Sequence, residues 1–257
     1  MKVAKAFTLL AAVLILTSGA VGTVFAQDDA GLSEPSTYFS HEYFDLGTGL
    51  QYTPRGATTQ LAGDVYNNTN PQAAANFGFS STDLASIWGD RVTTTGTGIL
   101  QENDFTVFNT GSSAGPLLSA TFNIALNDGS SLAALGGYTT GLVTFGAGLA
   151  PGFFSIITVT GLGGLNINVN TTDVLIRQQV ATKTGLANRL GIASLDPPTI
   201  GSSANTMYIN SSTVGPAGYY NVGNPPLNAN PGYRINVSAP VPVSLKSWGS
   251  VKNLYRN

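Results

Sequence analysis

The sequence predicts an all-β protein, an antiparallel two-sheet β-sandwich of jelly-roll type, and three observations carry that prediction. Short blocks rich in Val, Ile, Leu, Phe and Tyr recur along the chain, each about the length of a strand. Turn formers stand between them: NDG at 127–129, GLAPG at 148–152, GLGG at 161–164 and DPP at 196–198. No run of Ala, Leu, Glu and Lys at helical spacing separates the blocks, so a parallel architecture with crossover helices has no support. No fixed repeat period is visible, which argues against a propeller or solenoid. Glycine (31 residues) and proline (13) are abundant, but a hydrophobic fraction of 42% is enough to build a core.

Residues 1–26 read as a secretion signal. Lys2 and Lys5 precede an apolar run from Ala6 to Leu16, and small residues then close on Val24-Phe25-Ala26, so cleavage is expected after Ala26. The apolar run falls well short of the roughly 20 residues of a spanning helix, so no spanning helix is expected in the mature chain. Residues 27–40 are polar and acidic and are expected to form a flexible leader.

The sandwich domain is expected over 41–238. Its first candidate strands are HEYFDL from His41, GDVYNN at 63–68 and IWGDRV at 87–92, with a loop over 70–85 (NPQAAANFGFSSTDLA). DFTVFN at 104–109 follows, and LLSATFNIALN at 117–127 places Leu118, Ala120, Phe122, Ile124 and Leu126 on one face. Further strands are predicted in YTTGLVTF (138–145), FFSIITVTG (153–161), LNINVN (165–170) and DVLIRQQV (173–180). In the last of these Val174, Ile176 and Gln178 alternate with Leu175, Arg177 and Gln179, so one face is buried and the other partly wet. NTMYIN, GYYNV and YRINVS close the series. Residues 239–257 form a proline-bearing linker and a short basic amphipathic tail with Trp248, Val251, Leu254 and Tyr255 on one side.

Charge and cysteine usage narrow the function classes. Loss of Lys2 and Lys5 leaves 9 of the 11 basic residues against 13 acids, with no basic cluster to displace counterions, so nucleic acid is not an expected partner. The chain has no cysteine, so an exported form must rely on burial and backbone hydrogen bonding.

Few side chains are suited to chemistry. His41 is the single histidine, no GxSxG elbow occurs, and one His without Cys cannot supply a zinc site. Neither a GxxxxGK[ST] loop nor a GxGxxG turn between strand and helix is present. Asp64, Asp90, Glu102, Asp104, Asp128, Asp173 and Asp196 supply carboxylates of the kind a glycosidase sets across a cleft, but most sit beside turn residues that an acid commonly caps. Calcium would find oxygen ligands in ENDF (102–105) or LNDG (126–129), although neither has the acid spacing of an EF-hand. Trp88, Tyr208, Tyr219, Tyr220 and Tyr233 are the rings available to stack on sugars, or to fill the space between sheets.

The segments VYNN, IWGDRVTTTGTG, LAPGFFSIITVTGL, TDVLIRQQV, ANRLGIASLDPPTIGSS and NTMYIN together resemble a class of exported bacterial β-sandwich proteins of no established activity, many of which carry a PEP-CTERM sorting signal. The likeness spans residues 62–238. Its recurring parts are a Tyr-Asp-Asn near the start, a WGD step, an apolar strand pair and a DPPTVGSS-like turn. Two departures stand out: the Tyr-Asp-Asn is Tyr66-Asn67-Asn68 here, and the ending lacks the sorting signal.

The resemblance implies a surface or extracellular location and a structural or adhesive role. On this reading Trp88 is a core ring at a sheet edge, Gly89 lets the chain turn, and Asp90 and Arg91 pair with loop groups at the rim. The expected function is therefore an exported cell-surface or extracellular-matrix protein without catalysis or cofactor, whose partners are surface or matrix components, polysaccharide among them. The alternative is a carbohydrate-binding module using loop aromatics, with calcium as an adjunct, and a two-carboxylate glycosidase stands third. Candidate surface ligand contacts are Asp90, Arg91, Tyr208, Tyr219, Tyr220 and Tyr233.

Overall fold

A computed structural model describes residues 22–23, 34–52, 63–70, 75–204, 206–221 and 230–238. In chain order the strands are β1 (Gly22–Thr23), β2 (Glu34–Pro35), β3 (Thr37–Asp45), β4 (Leu50–Tyr52), β5 (Asp64–Asn67) and β6 (Ala75–Ser81). They continue as β7 (Ile87–Thr93), β8 (Gly98–Asn109), β9 (Leu117–Asp128), β10 (Ala134–Thr139), β11 (Val143–Leu149) and β12 (Phe153–Thr160). After a 3₁₀ turn at Leu162–Leu165 come β13 (Asn168–Val169), β14 (Asp173–Gly185), β15 (Leu190–Asp196) and β16 (Ser202–Ser203). β17 (Met207–Ser211), β18 (Gly215–Asn221) and β19 (Tyr233–Ser238) complete the set.

These strands form two packed sheets, an all-β sandwich. Sheet A runs β1-β18-β17-β7-β14-β9-β10, with β11 beside β9 and β16 beside β7. Sheet B runs β2-β6-β15-β8-β12-β3-β4, and β19 joins β8 to β5 while β13 pairs with β8. Pairing is antiparallel except between β3 and β12 and between β1 and β18. From β6 onward the chain repeatedly changes sheet: β6 is in B, β7 in A, β8 in B, β9 in A, β12 in B, β14 in A and β15 in B. Sequence neighbours therefore face each other across the core, the connectivity of a jelly-roll-type sandwich.

The pleat decides which side chains meet. Ala120, Phe122, Ile124 and Leu126 of β9 turn inward with Val174 and Ile176 of β14, and they pack on Phe105, Val107, Ile157 and Val159 of sheet B. Phe105 and Phe122 meet edge to face at 5.1 Å between centroids. Trp88, Phe79, Ile192, Met207, Ile209 and Tyr220 fill a second core cluster. The opposite pleat of sheet B carries Phe108, Phe154, Ile156, Ala193 and Leu195, also buried. Residues 230–232 run beside β15, bonded to the Ala193 and Leu195 backbone, and Tyr38 packs edge to face with Phe154.

Several sequence expectations are corrected. β3 begins at Thr37 and β2 pairs with β6, so the end of the expected leader belongs to a sheet. The expected loop over 70–85 contains β6, whose Gly78 has no room for a side chain because a Cβ there would overlap the Phe108 ring. YTTGLVTF breaks into β10 and β11, and LNINVN yields only the end of a 3₁₀ turn and β13. β15 was not expected, because burial on both faces (Ile192 toward the core, Ala193 and Leu195 outward) hides its alternation. A register shift opposite Gly185 buries Leu117 and leaves Leu118 47% exposed. The tail over 239–257 and nearly all of the expected signal lie outside the described residues. Among the described residues no helix is long and apolar enough to cross a membrane.

Candidate functional site

The WGD step is not a turn. β7 runs straight through it, so Trp88, Asp90 and Val92 point inward while Gly89, Arg91 and Thr93 point out. Trp88 is a core ring, as the resemblance implies, but β7 lies between β17 and β14 rather than at a sheet edge. Gly89 is required by close approach: a Cβ there would press on the carbonyl oxygen of Ile176 across the β7–β14 ladder.

The groove above Gly89 is closed by its neighbours. Tyr208 of β17 stands opposite Gly89 on one side and Arg177 of β14 on the other. The Arg177 guanidinium lies over the Tyr208 ring, 5.8 Å from its centroid. Tyr208 meets Tyr219 of β18 edge to face at 5.6 Å, and the Arg91 guanidinium lies 5.9 Å over Tyr219. The two rings thus stand together between two guanidinium groups, each cation–ring contact contributing about 0.5–1 kcal/mol at an exposed site. Tyr219 also donates its hydroxyl to the Gly129 carbonyl at 3.3 Å, which fixes the ring.

Arg91 is held from its other side by Asp173, which takes both Nε (2.8 Å) and Nη2 in a fork. The hydrogen bonds to Asp173 raise the guanidinium's pKa above its ordinary value. Both side chains remain about a third exposed, so the pair is worth at most about 1 kcal/mol to stability and stays reachable from solvent. Beside it opens a recess of about 420 Å³ lined by Arg91, Thr93, Asp173, Ser202, Ser203 and Ala204.

Asp90 lies beneath this surface and is not at the rim, a correction that follows from the β7 pleat. Its side chain is fully buried, accepts from the Ser203 hydroxyl at 3.0 Å and lies 3.5 Å from the Tyr66 hydroxyl. Among the described residues no cationic side chain pairs with it, and burial pushes its carboxyl well above the usual carboxylate range. Tyr220 and Tyr233 are also corrected as surface contacts. Tyr220 sits on the inner pleat of β18 in the Trp88 cluster and donates to the Pro216 carbonyl at 2.6 Å. Tyr233 pairs with Phe105 and is 0% exposed. Of the six candidates, the structure brings together Arg91, Tyr208 and Tyr219, all on strands rather than loops, and Tyr208, only 6% exposed, backs Tyr219 rather than offering a surface contact of its own.

The other candidate acids are engaged elsewhere. Asp64, Glu102 and Asp104 converge, but on Arg234, whose three guanidinium nitrogens reach them at 3.2, 2.7 and 2.9 Å. ENDF is part of β8 rather than a loop, and in LNDG the Asp128 carboxylate accepts from the backbone and hydroxyls of Ser130 and Ser131. The side chain of Asp196 is not among those described. No group of three or more His, Cys, Asp or Glu among the described residues is placed to hold a metal ion. His41 lies in β3, bonded through Nε2 to the Thr158 hydroxyl at 2.7 Å and stacked on Tyr43. Asn67, at the departure from the Tyr-Asp-Asn pattern, turns its side-chain oxygen to Thr69.

Arg177 and Ser203 are the site residues that sequence reasoning did not single out, and Asp173, one of the candidate carboxylates, was not foreseen as the partner of Arg91. The alternation of DVLIRQQV already places Arg177 on the wet face, but its ring partner depends on β17 and β14 flanking the same glycine. Comparison with protein-family models, curated proteins and solved structures finds no match to this chain.

Proposed function

We propose that the chain is an exported, non-catalytic protein of the cell surface or extracellular matrix that adheres through the outer face of sheet A. The observation that carries this reading is the Arg91–Tyr219 pair beside an open recess, a half-exposed ring flanked by a guanidinium and a carboxylate. A pyranose offers what such a surface takes, a C–H face for the ring and hydroxyls for the flanking polar groups. Polysaccharide of the envelope or matrix is the favoured partner.

Two further observations support the reading. Asp64, Glu102, Asp104, Asp128 and Asp173 are drawn into ion pairs or turn bonds, which favours adhesion over a two-carboxylate hydrolysis. The signal-like order of residues 1–26 and the resemblance over 62–238 favour export, and loss of 1–26 removes only the two-residue β1 from the described sandwich. Fractionation of the producing cell, with the N-terminal mass of the recovered chain, tests the proposal. The expected result is a chain starting at Gln27 in the medium or outer envelope; recovery of the uncleaved chain from the cytoplasm overturns it.

A further inference from the structure

The same outer face continues beyond Arg177 as a ladder of hydroxyls and amides. Asn123 of β9 stands opposite Gln179 of β14, Thr121 opposite Thr182, and Ser119 opposite Thr184. Each pair is bonded across the strands: Asn123 Nδ2 donates to Gln179 Oε1 at 3.3 Å, the Thr121 and Thr182 hydroxyls lie 2.7 Å apart, and those of Ser119 and Thr184 2.6 Å apart. The residues between them on β9, Ala120 and Phe122, belong to the core, so the ladder lies on the outward pleat.

A bulge builds this surface. The register shifts between Val180 and Thr182, leaving Ala181 as an extra residue on β14. Without it Thr182 and Thr184 would follow Val174, Ile176, Gln178 and Val180 into the core; with it they turn outward beside Gln179. From Asp173 to Thr184 the outward positions of β14 span about 35 Å at the usual rise per residue.

We propose that this ladder is the body of a binding track for an uncharged, linear polysaccharide laid along β14, with Tyr219 at one end. The inference rests on the adhesive reading above and names its ligand class. Two paired hydroxyls hold two protons between them and share one, so the Thr121–Thr182 rung keeps a donor and spare lone pairs for a ligand, while in the last rung Ser119 is only 6% exposed and Thr184 supplies the outward hydroxyl. No rung carries a charge, which gives an acidic polymer nothing to pair with, and none carries an apolar side chain, which gives a protein face or a lipid little to bury. The two cations on the outward pleat at the head of the ladder are both engaged, Arg91 with Asp173 and Arg177 over the Tyr208 ring.

The test is affinity electrophoresis of the secreted chain in gels containing dextran, mannan or hydroxyethyl cellulose, and separately alginate or polygalacturonate. It compares the wild type with Thr121→Val/Thr182→Val, which keeps the β-branched shape and removes two hydroxyls, and with Tyr219→Ala. The track predicts retardation by at least one neutral polymer, weakened tenfold or more in the double variant while its thermal midpoint stays that of a folded protein. Neutral-polymer binding lost in Tyr219→Ala but unchanged in the double variant overturns the ladder and leaves the adhesive reading standing, as does retardation by the acidic polymers alone. A wild type that no gel retards overturns both.

Discussion

Ser203 donates its hydroxyl to Asp90 Oδ1 at 3.0 Å, tying the wall of the surface recess to a fully buried carboxyl. Burial raises the folded-state pKa of Asp90 above its ordinary value of 3.8. The native state therefore favours the protonated form: the stability this supplies is fully present below that value and is lost as pH rises through the raised folded pKa. Asp90→Asn keeps the shape without the charge. It is expected to match the wild type near pH 4 and to exceed it at pH 7 by roughly 1–3 kcal/mol in urea unfolding. A variant weaker than the wild type at pH 7 would show that the carboxylate is ionised and held.

His41 has the opposite sign. Burial first, and the nearby Arg234 charge second, lower its pKa from 6.5 to about 4, so the folded state holds the neutral ring against Thr158. That contribution is fully present above pH 6.5 and is lost as pH falls through about 4. A shift of this size corresponds to a loss on the order of 3 kcal/mol at the acid end. Guanidinium unfolding at pH 7, 5.5 and 4 should show the decline in the wild type and a flatter profile in His41→Gln.

Arg234 holds three carboxylates on the outer face of sheet B with a side chain only 6% exposed. Removing it leaves Asp64, Asp104 and Glu102 facing one another. Arg234→Met is expected to cost about 3–5 kcal/mol. Adding Asp104→Asn should recover part of that loss, and Arg234→Lys should fall between, because the single nitrogen of an ammonium keeps the charge but lacks the planar spread by which Nε, Nη1 and Nη2 each reach a different carboxylate. Chemical denaturation of the four chains measures each step.

Gly89→Ala tests the packing beneath the rings. The new methyl meets the Ile176 carbonyl, so the β7–β14 ladder must spread, at about 1–3 kcal/mol. Amide exchange should accelerate at the β7–β14 rungs around Gly89 more than in the β8–β12 pair of sheet B.

The architecture was legible where one face of a strand is buried and the other wet. Phe122, Ile124 and Leu126 of β9 and Val174 and Ile176 of β14 show their pleat in sequence and occupy the core as the alternation requires. Legibility failed where both faces are covered, as in β15, or where glycine makes room for a ring, as at Gly78 against Phe108. The site was half legible. Arg91, Tyr208 and Tyr219 were named as single residues, but their meeting depends on β17 and β18 joining β7 from over a hundred residues away. Asp90 was misplaced because WGD has the composition of a turn while β7 and its neighbours make it a strand. The ladder was hidden by Ala181, since a bulge reverses the pleat without leaving a mark in the hydrophobic pattern.

Retention of the secreted chain on its own cells and matrix tests adhesion through the outer face of sheet A most directly. The wild type should remain with the washed cell fraction, and Arg91→Ala/Tyr219→Ala, secreted and folded to the same extent, should pass into the medium. Equal partitioning of the two chains would contradict the assignment of that face.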